Sequence, residues 1–193
     1  MFISFFPSVL SFWEKEVVVN ATLAELGYSI EISERLAEGI FFTNLTGSLI
    51  NVQYPLMPGS KKNNATWNYD LNEPYRRSGY QIFVHGKIRI DICHGAETNL
   101  CSTPNCSGEG NVEINITNMV WSSSLIGNEN NPSLTDYKHM TIGYDNYNKV
   151  AVGVKEGDIV YLRYWLDVPP ATPGGNYTTI YKIQAVPSGG KCG

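Results

Sequence analysis

The sequence predicts an all-β protein, a single β-sandwich or jelly-roll head preceded by an extended apolar N-terminal tail. Three observations support this fold class. About ten short segments alternate apolar and polar residues, turn residues separate them, and no amphipathic helix is longer than about ten residues. No repeat, linker or composition shift divides the 193 residues, so the head is expected to be one domain over residues 14–193.

The tail comprises residues 1–13, which differ from everything that follows. Nine of these residues are apolar, four of them phenylalanine, and no charged residue precedes Glu14. A secretory signal would be the first explanation, but the segment has no basic start and no small-residue cleavage site, and Pro7 interrupts it. We therefore expect the tail to be retained and buried in a groove of a sheet, where its backbone would be paired.

In the first half of the head, apolar and polar residues alternate only over short stretches. Short strands are predicted at 16–22, 28–32, 39–44 and 48–54. A short turn or helical piece follows the first of them, and residues 33–39 can form about one and a half helical turns. Proline, glycine and asparagine are frequent in residues 55–79, which indicates a long loop.

Residues 80–92 give the clearest strand pattern of the chain, with apolar residues at every even position except Gly86. Residues 93–110 form an excursion rich in cysteine, glycine and asparagine. Apolar residues then alternate with polar ones over residues 112–117, which places Asn115 on the solvent face.

The last third of the sequence predicts a loop, a hairpin and two long strands. Residues 122–136 are polar and without periodicity, so they are interpreted as a loop. Residues 137–144 and 149–154 are expected to pair as a hairpin. The final strands are predicted at 160–168 and 176–186, separated by a Pro/Gly bend.

Acceptor sequences for N-glycosylation are more than twice as frequent as the composition gives by chance. An asparagine-rich chain with unused sequons is the alternative to a glycosylated, secreted protein, which we favour. The six predicted acceptors are Asn20, Asn44, Asn64, Asn105, Asn115 and Asn176.

The four cysteines support the same extracellular, secreted location. Their number is even, and no CxxC spacing indicates a metal site, so two disulfides are predicted among Cys93, Cys101, Cys106 and Cys192. Three pairings are open from sequence. A bridge from Cys192 to residues 93–106 would close nearly half the chain, a stabilisation of about 4 kcal/mol.

Composition and motifs exclude several classes of function. A net charge of −4 gives no basic surface for nucleic acid, and no apolar run is long enough to span a bilayer. No motif of the common hydrolases, metalloproteases or nucleotide-binding proteins occurs, so no enzyme, cofactor or metal is predicted. His85, His94 and His139 are interpreted as surface residues. Asp91, Asp158 and Asp167 are interpreted as capping or solvated residues.

Three aromatic residues, Phe83, Tyr161 and Trp165, fall on the nominally outer faces of their strands. One explanation is that a loop, a helix or a second sheet covers them. The others are a sugar-stacking platform or a subunit contact.

The C-terminal third resembles a known class of proteins. A turn at residues 156–158 leads into YLRYWLDVPPATPGGNYTTIYKIQAV, which contains an L-x-V-P sequence, a Pro/Gly bend and a strand with G-x-Y. It is similar to the closing hairpin of extracellular β-sandwich subunits of the TasA and camelysin class and of archaeal surface filaments such as threads, bundling pili and cannulae. The resemblance covers about 35 residues together with the general plan of an apolar tail and a β head, an arrangement suited to strand addition.

This resemblance implies donor-strand complementation, in which the tail of one subunit completes a sheet of the next. Such a contact is heterologous and generates an open homopolymer of identical subunits. Pro7 departs from an ideal donor strand, and pairing is expected to break or bulge there. The predicted donor residues are Phe2, Ile3, Phe5, Phe6, Val9 and Leu10.

The leading hypothesis is therefore a secreted, N-glycosylated filament subunit without catalysis, with a role in adhesion or biofilm. The alternatives are an extracellular carbohydrate-binding or adhesin domain, whose partners would be sugar or cell-surface ligands, and a viral jelly-roll structural protein. A further alternative is that the tail folds back onto its own head.

Overall fold

A computed structural model describes residues 27–42, 45–46, 49–50, 56–65, 79–128 and 131–193 of this protein. These residues are mostly β-structure, which confirms the all-β prediction. The strands are β1 Tyr28–Ile32, β2 Leu45–Thr46, β3 Leu49–Ile50, β4 Asn63–Asn64, β5 Tyr80–Gly86, β6 Ile90–Ala96, β7 Leu100–Cys101, β8 Glu113–Ile114, β9 Met119–Ser124, β10 Lys138–His139, β11 Ala151–Val154, β12 Ile159–Leu166 and β13 Tyr181–Pro187. The helices are α1, Glu34–Glu38, and the 3₁₀ turns Pro104–Cys106, Ile116–Asn118 and Leu134–Asp136.

Two antiparallel sheets carry most of the described strands. The larger has the order β1-β5-β12-β9-β10, with β4 also paired to β12, and the smaller has the order β11-β6-β13. Two short ribbons, β2-β3 and β7-β8, complete the described pairing.

The two sheets contribute to one hydrophobic core. Ile82 and Leu162 come from the larger sheet, Ile92 and Ile183 come from the smaller one, and all four are fully buried. Burial of each such side chain contributes about 1.5–3 kcal/mol, so this shared core is the main source of stability. The even positions of the predicted strand at 160–168 all face it, as the sequence indicated.

The short helix forms where the sequence predicts it. Ser33 is its N-cap, and its hydroxyl accepts a hydrogen bond from the amide of Leu36 at 3.3 Å. Leu36 is buried in the core, so the helix is held by one apolar contact as well as by its cap.

The predicted single strand over residues 80–92 is wrong. The chain leaves the larger sheet at Gly86 and enters the smaller one at Ile90. Gly86 has a φ of +133°, and a Cβ there would overlap Gly27 and Tyr28, so only glycine fits this corner. The apolar alternation continues through the corner because both strands face the same core, although Ile88 itself is exposed.

Two other expectations for the second half are also wrong. Residues 122–124 belong to β9, a strand inside the larger sheet, rather than to a loop. Residues 137–154 do not form a hairpin, because β10 pairs with β9 and β11 pairs with β6 in the other sheet.

Candidate functional site

The smaller sheet ends at β13, whose outer edge has no neighbour among the described strands. Ser188 N donates to Arg89 O at 3.0 Å and Glu97 N donates to Ile180 O at 2.8 Å, which fixes the hydrogen-bonded pairs of the β6-β13 ladder. Because these pairs alternate in an antiparallel ladder, the backbone groups of Tyr181, Ile183 and Ala185 face away from β6. This edge is seven residues long and its register with β6 has no shift.

The backbone at this edge needs hydrogen-bonding partners. Ile183 has no exposed surface and Ala185 is 7% exposed, so their amides and carbonyls are largely removed from water. A buried backbone group without a partner costs about 1–3 kcal/mol, so such groups are almost always paired. No described strand pairs with Ile183 or Ala185 on this side. We infer that the partner comes from outside the described residues.

The sheets show where an added strand would lie. Tyr181 of β13 contacts Tyr164 of β12, with ring centroids 5.8 Å apart. His94 of β6 contacts Trp121 of β9 at 4.2 Å. Thus β6 packs against β9 and β13 packs against β12, so the two sheets run in the same order across the core.

Beyond β12, the larger sheet continues with two further strands, whereas the described part of the smaller sheet stops. The core-facing residues of these two strands are apolar and include Ile30, Ile82 and Val84. An additional strand beside β13 would therefore lie over an apolar surface. We call this position the lane beside β13.

The other terminal strands of the two sheets in the described ranges are β1, β10 and β11, and β1 is the longest of these that carries an apolar core-facing row. Its backbone groups at Tyr28, Ile30 and Ile32 face away from β5, because Ser33 N and Lys87 N bond across the β1-β5 ladder. This edge is five residues long and carries Glu31. It is shorter than β13, and each of the two edges carries one charged residue, Glu31 on β1 and Lys182 on β13.

A polar network crosses the core next to the lane. His94 Nδ1 and the Tyr181 hydroxyl share a hydrogen bond of 2.7 Å, and the Tyr181 and Tyr164 hydroxyls share another of 2.7 Å. Burial lowers the pKa of His94 to about 3, with the charge of Asp145 opposing this shift and that of Lys138 adding to it. Burial also raises the pKa values of Tyr164 and Tyr181. All three groups are therefore neutral, and the network fixes the two sheets relative to each other.

The interpretation of His94 as a surface residue is thus wrong, since it is 1% exposed. His85 and His139 are exposed, as expected.

Asp91 is also buried rather than solvated. It lies on the face of β6 opposite to the core and is 1% exposed. Lys149 Nζ lies 2.8 Å from Oδ2, and the amides of Gly153 and Gly189 donate to the carboxylate at 2.8 and 2.9 Å. Burial alone would raise the pKa of Asp91, but these hydrogen bonds outweigh it and hold the pKa below 3.8. The carboxylate therefore ties β6 to β11, to Lys149 just before β11, and to the segment after β13.

The four cysteines form two disulfides, as predicted. Cys93–Cys192 joins β6 to the segment after β13, and Cys101–Cys106 closes a short loop. Asn146 adds a reciprocal pair of hydrogen bonds to the backbone of Cys192. The segment after β13 is therefore fixed over the outer face of the smaller sheet.

Cys101, Cys106 and Glu113 form the only cluster with metal-binding residue types in the described ranges. Both sulfurs are bonded to each other, so they do not act as thiolate ligands in this state.

Four of the predicted glycosylation acceptors lie in the described ranges, and all four asparagines are exposed. Three of them surround one ribbon: Asn115 follows β8, Asn105 lies in the disulfide loop after β7, and Asn176 lies two residues before Thr178, which bridges to Cys101. Asn64 lies on β4, beside Trp165. Asn20 and Asn44 lie outside the described residues.

The side chain of Asn115 has a fixed orientation. Its Oδ1 accepts hydrogen bonds from the amide and the hydroxyl of Thr117 at 2.9 and 2.7 Å. The amide nitrogen, to which a glycan would be attached, has no hydrogen bond within the described structure.

The aromatic residues interpreted as candidates for a sugar platform are covered. Tyr161 is 7% exposed and Trp165 is 3% exposed, and Phe83 is partly buried. Gly127 packs so closely on the Tyr161 ring that a Cβ there would overlap it. Of the three explanations, coverage by a loop is therefore the one found for Tyr161.

The predicted donor residues Phe2, Ile3, Phe5, Phe6, Val9 and Leu10 lie outside the described residues. Within the described ranges, no helix has the length and apolar content that a membrane-spanning helix requires. Comparison with protein-family models, curated proteins and solved structures gives no match to this chain.

Sequence reasoning did not identify the outer edge of β13, with which no described strand pairs. Period two predicted a strand over residues 176–186, of which only 181–186 belong to β13, and periodicity does not distinguish an edge from an interior strand. The one sequence signal was Pro187, because proline in a sheet is confined to edges, strand ends and bulges.

Proposed function

We propose that this protein is a structural subunit of a secreted, N-glycosylated surface filament, built by adding the N-terminal strand of one copy to a β-sandwich head of the next. The single observation that carries this proposal is the outer edge of β13. Its buried backbone groups need partners that the described residues do not supply.

The tail has the chemistry that this edge requires. The lane beside β13 lies over apolar residues, and residues 1–13 contain nine apolar residues and no charge. Strand addition would satisfy the backbone of β13 and bury the tail at the same time. Since the tail and the lane are different parts of the chain, the contact between copies would repeat without closing, which produces a filament.

The disulfides and the exposed acceptor asparagines support the extracellular part of the proposal. Disulfides persist in oxidising compartments outside the cytoplasm. Asn105, Asn115 and Asn176 cluster around the β7-β8 ribbon and are all exposed, so glycans could be attached there.

The test compares the full chain with a variant that lacks residues 1–13. We expect the full chain to form filaments in negative-stain electron microscopy and the truncated chain to remain monomeric. A synthetic peptide of residues 1–13 should bind the truncated chain with a stoichiometry of one, and a peptide with the same residues in scrambled order is the matched control.

Two results would contradict the proposal. One is a full-length protein that is monomeric at all concentrations, with its tail protected from proteolysis, which would place the tail in its own head. The other is filament formation by the truncated chain as readily as by the full chain. Near-ultraviolet circular dichroism establishes that the truncated head is folded.

A further inference from the structure

We propose that Asn105 accepts a glycan only while the short disulfide between Cys101 and Cys106 is open. Asn115, ten residues later, accepts a glycan whatever the state of that disulfide. The difference arises because Asn105 has the only sequon of the six with a cysteine, Cys106, in its middle position. This inference rests on the N-glycosylated part of the proposed function, and it adds a redox control to one acceptor site.

The closed disulfide holds the sequon of Asn105 in a tight turn. The Cα atoms of Cys101 and Cys106 lie 5.1 Å apart, with a sequence separation of 5. An extended chain would span about 17 Å over the same number of residues. Asn105 itself has a φ of +55° and a ψ of +26°, which is the left-handed region of the backbone. The bridged segment therefore cannot be drawn out into an extended strand within an enzyme's site.

The turn also engages the hydroxyl group of the sequon with another residue. Ser107 Oγ donates to the carbonyl of Pro104 at 3.1 Å, and the Ser107 amide donates to the same oxygen at 3.2 Å. Within the described contacts, no hydrogen bond joins the side chains of Asn105 and Ser107. The N-x-[ST] motif consists of an amide and a hydroxyl that one enzyme site has to engage together. The closed loop does not present these two groups as a pair.

The sequon of Asn115 has the opposite arrangement. Its Oδ1 accepts hydrogen bonds from the amide and the hydroxyl of Thr117, so the two groups of this sequon lie together. Both residues are exposed, and neither belongs to the loop that the short disulfide closes. The state of that disulfide therefore does not decide whether Asn115 is presented.

The short spacing allows the bridge to close soon after the sequon has been synthesised. Chains grow at about 5–20 residues per second, so Cys106 follows Cys101 within about one second. Cys192 follows Cys93 by 99 residues, which takes about 5–20 s. Closing a short loop also costs less entropy than closing a long one. Bridge closure and glycan attachment therefore compete for the same new segment of the chain.

The two competing reactions are chemically independent. Bridge closure transfers two electrons and two protons from the thiols of Cys101 and Cys106 to an oxidising protein disulfide, which becomes a dithiol. Glycan attachment joins Asn105 Nδ2 to the anomeric carbon of a glycosyl phosphate donor, with loss of one amide proton and departure of the phosphate group. Neither reaction consumes a group that the other needs, so the exclusion is conformational.

The test compares two variants of the full chain that differ at one residue. In the first, Cys93→Ser and Cys192→Ser leave Cys101 and Cys106 as the only cysteines. The second variant also carries Cys101→Ser, so it cannot form a disulfide within the chain but keeps the N-C-S sequon. Each chain is given a cleavable secretion signal and translated with glycosylating membrane vesicles under oxidising conditions.

Glycopeptide mass spectrometry measures the occupied fraction at each acceptor. We expect occupancy at Asn105 to be about three-fold or more higher in the variant without Cys101, and occupancy at Asn115 to agree within about 1.5-fold. A reductant present during translation should raise Asn105 occupancy in the first variant to the level of the second.

Equal occupancy at Asn105 in the two variants, including none in either, would overturn the inference. An equal rise at Asn105 and Asn115 would also overturn it, because it would indicate a general effect of the missing bridge on folding. Both results leave the proposed function intact as long as Asn115 is occupied. If no asparagine is occupied in the native chain or in either variant, the inference fails together with the N-glycosylated part of the proposed function.

Discussion

The buried imidazole of His94 should make the stability of this protein depend on pH in a way that one substitution removes. In the folded chain the pKa of His94 is about 3, because burial disfavours the charged ring. In the unfolded chain the ring has its ordinary pKa of 6.5. Between these two values the unfolded state binds a proton that the folded state does not, so stability falls as the pH falls.

The size of this effect follows from the two pKa values. Each pH unit below 6.5 removes about 1.4 kcal/mol from the free energy of unfolding, so the loss between pH 7 and pH 4.5 is about 2.7 kcal/mol. His94→Gln keeps an oxygen that can accept a hydrogen bond from Tyr181 but does not titrate. Between pH 7 and pH 4.5, the free energy of unfolding of His94→Gln should therefore fall by about 2.7 kcal/mol less than that of the native chain. The variant is nevertheless expected to be less stable than the native chain at pH 7.

Urea unfolding at pH 7, 6, 5 and 4.5 measures the difference between the native chain and the variant. The contributions of other titrating groups cancel in the difference between the two curves. His85→Gln, at an exposed histidine, is the matched control for the replacement of an imidazole by an amide. If the native chain and His94→Gln lose the same free energy between pH 7 and pH 4.5, the argument from burial of His94 is wrong.

Three further outcomes concern the packing around the smaller sheet. Asp91→Asn should lower the free energy of unfolding by about 3–5 kcal/mol at pH 7, because the ammonium group of Lys149 loses its ion pair. In the native chain, the stabilisation by Asp91 should be lost only as the pH falls below 3.8 and through the lowered pKa of its carboxylate. Chemical denaturation of both proteins tests this, and a cost below about 1 kcal/mol would refute it. Replacing both Cys93 and Cys192 by alanine should destabilise the protein by about 4–5 kcal/mol, against about 2 kcal/mol for Cys101 and Cys106, because the loops span 99 and 5 residues. Thermal unfolding in the absence of reductant gives the order, and a reversed order would contradict this explanation. Gly95→Ala should cost about 1–3 kcal/mol because a Cβ at Gly95 would overlap the Gly143 carbonyl, whereas Gly174→Ala, with open space around it, should be close to neutral. Equal urea midpoints for the two variants would show that the segment around Gly143 is not held against β6.

Much of the fold could be predicted from the sequence because its strands obey local rules. The strand at 160–168 and the helix after Ser33 formed as predicted, since alternation and an N-cap are properties of a few adjacent residues. β9 was partly missed because Ser122 is buried among apolar neighbours, and a serine-rich segment carries no hydrophobic period. The pairing of β10 and β11 in different sheets depends on contacts between distant residues, which periodicity does not record.

The candidate site was predictable in its chemistry but not in its location. The apolar, uncharged tail indicated that an acceptor should exist. The proposal that this acceptor is the lane beside β13 required the ring contacts of Tyr181 and His94, which show how the sheets are aligned. The burial of Asp91 was missed because it falls on the predicted outer face of its strand, and that of His94 because residues 93–110 were predicted to leave the sheet. Their hydrogen-bond partners lie 58 and 87 residues away in the sequence.

The disulfide between Cys93 and Cys192 determines how this domain would carry mechanical load. β13 lies between the lane and β6. A force that pulled the C-terminal end of β13 away from the sheet would break its hydrogen bonds to β6 one after another, starting from that end. The covalent link attaches the segment after β13 directly to the middle of β6. A pull applied at Cys192 is therefore transmitted to β6 through the bond, and β13 cannot be peeled from that end. Tension along β13 would instead act on its hydrogen bonds in parallel, the arrangement in which a strand resists extension most strongly.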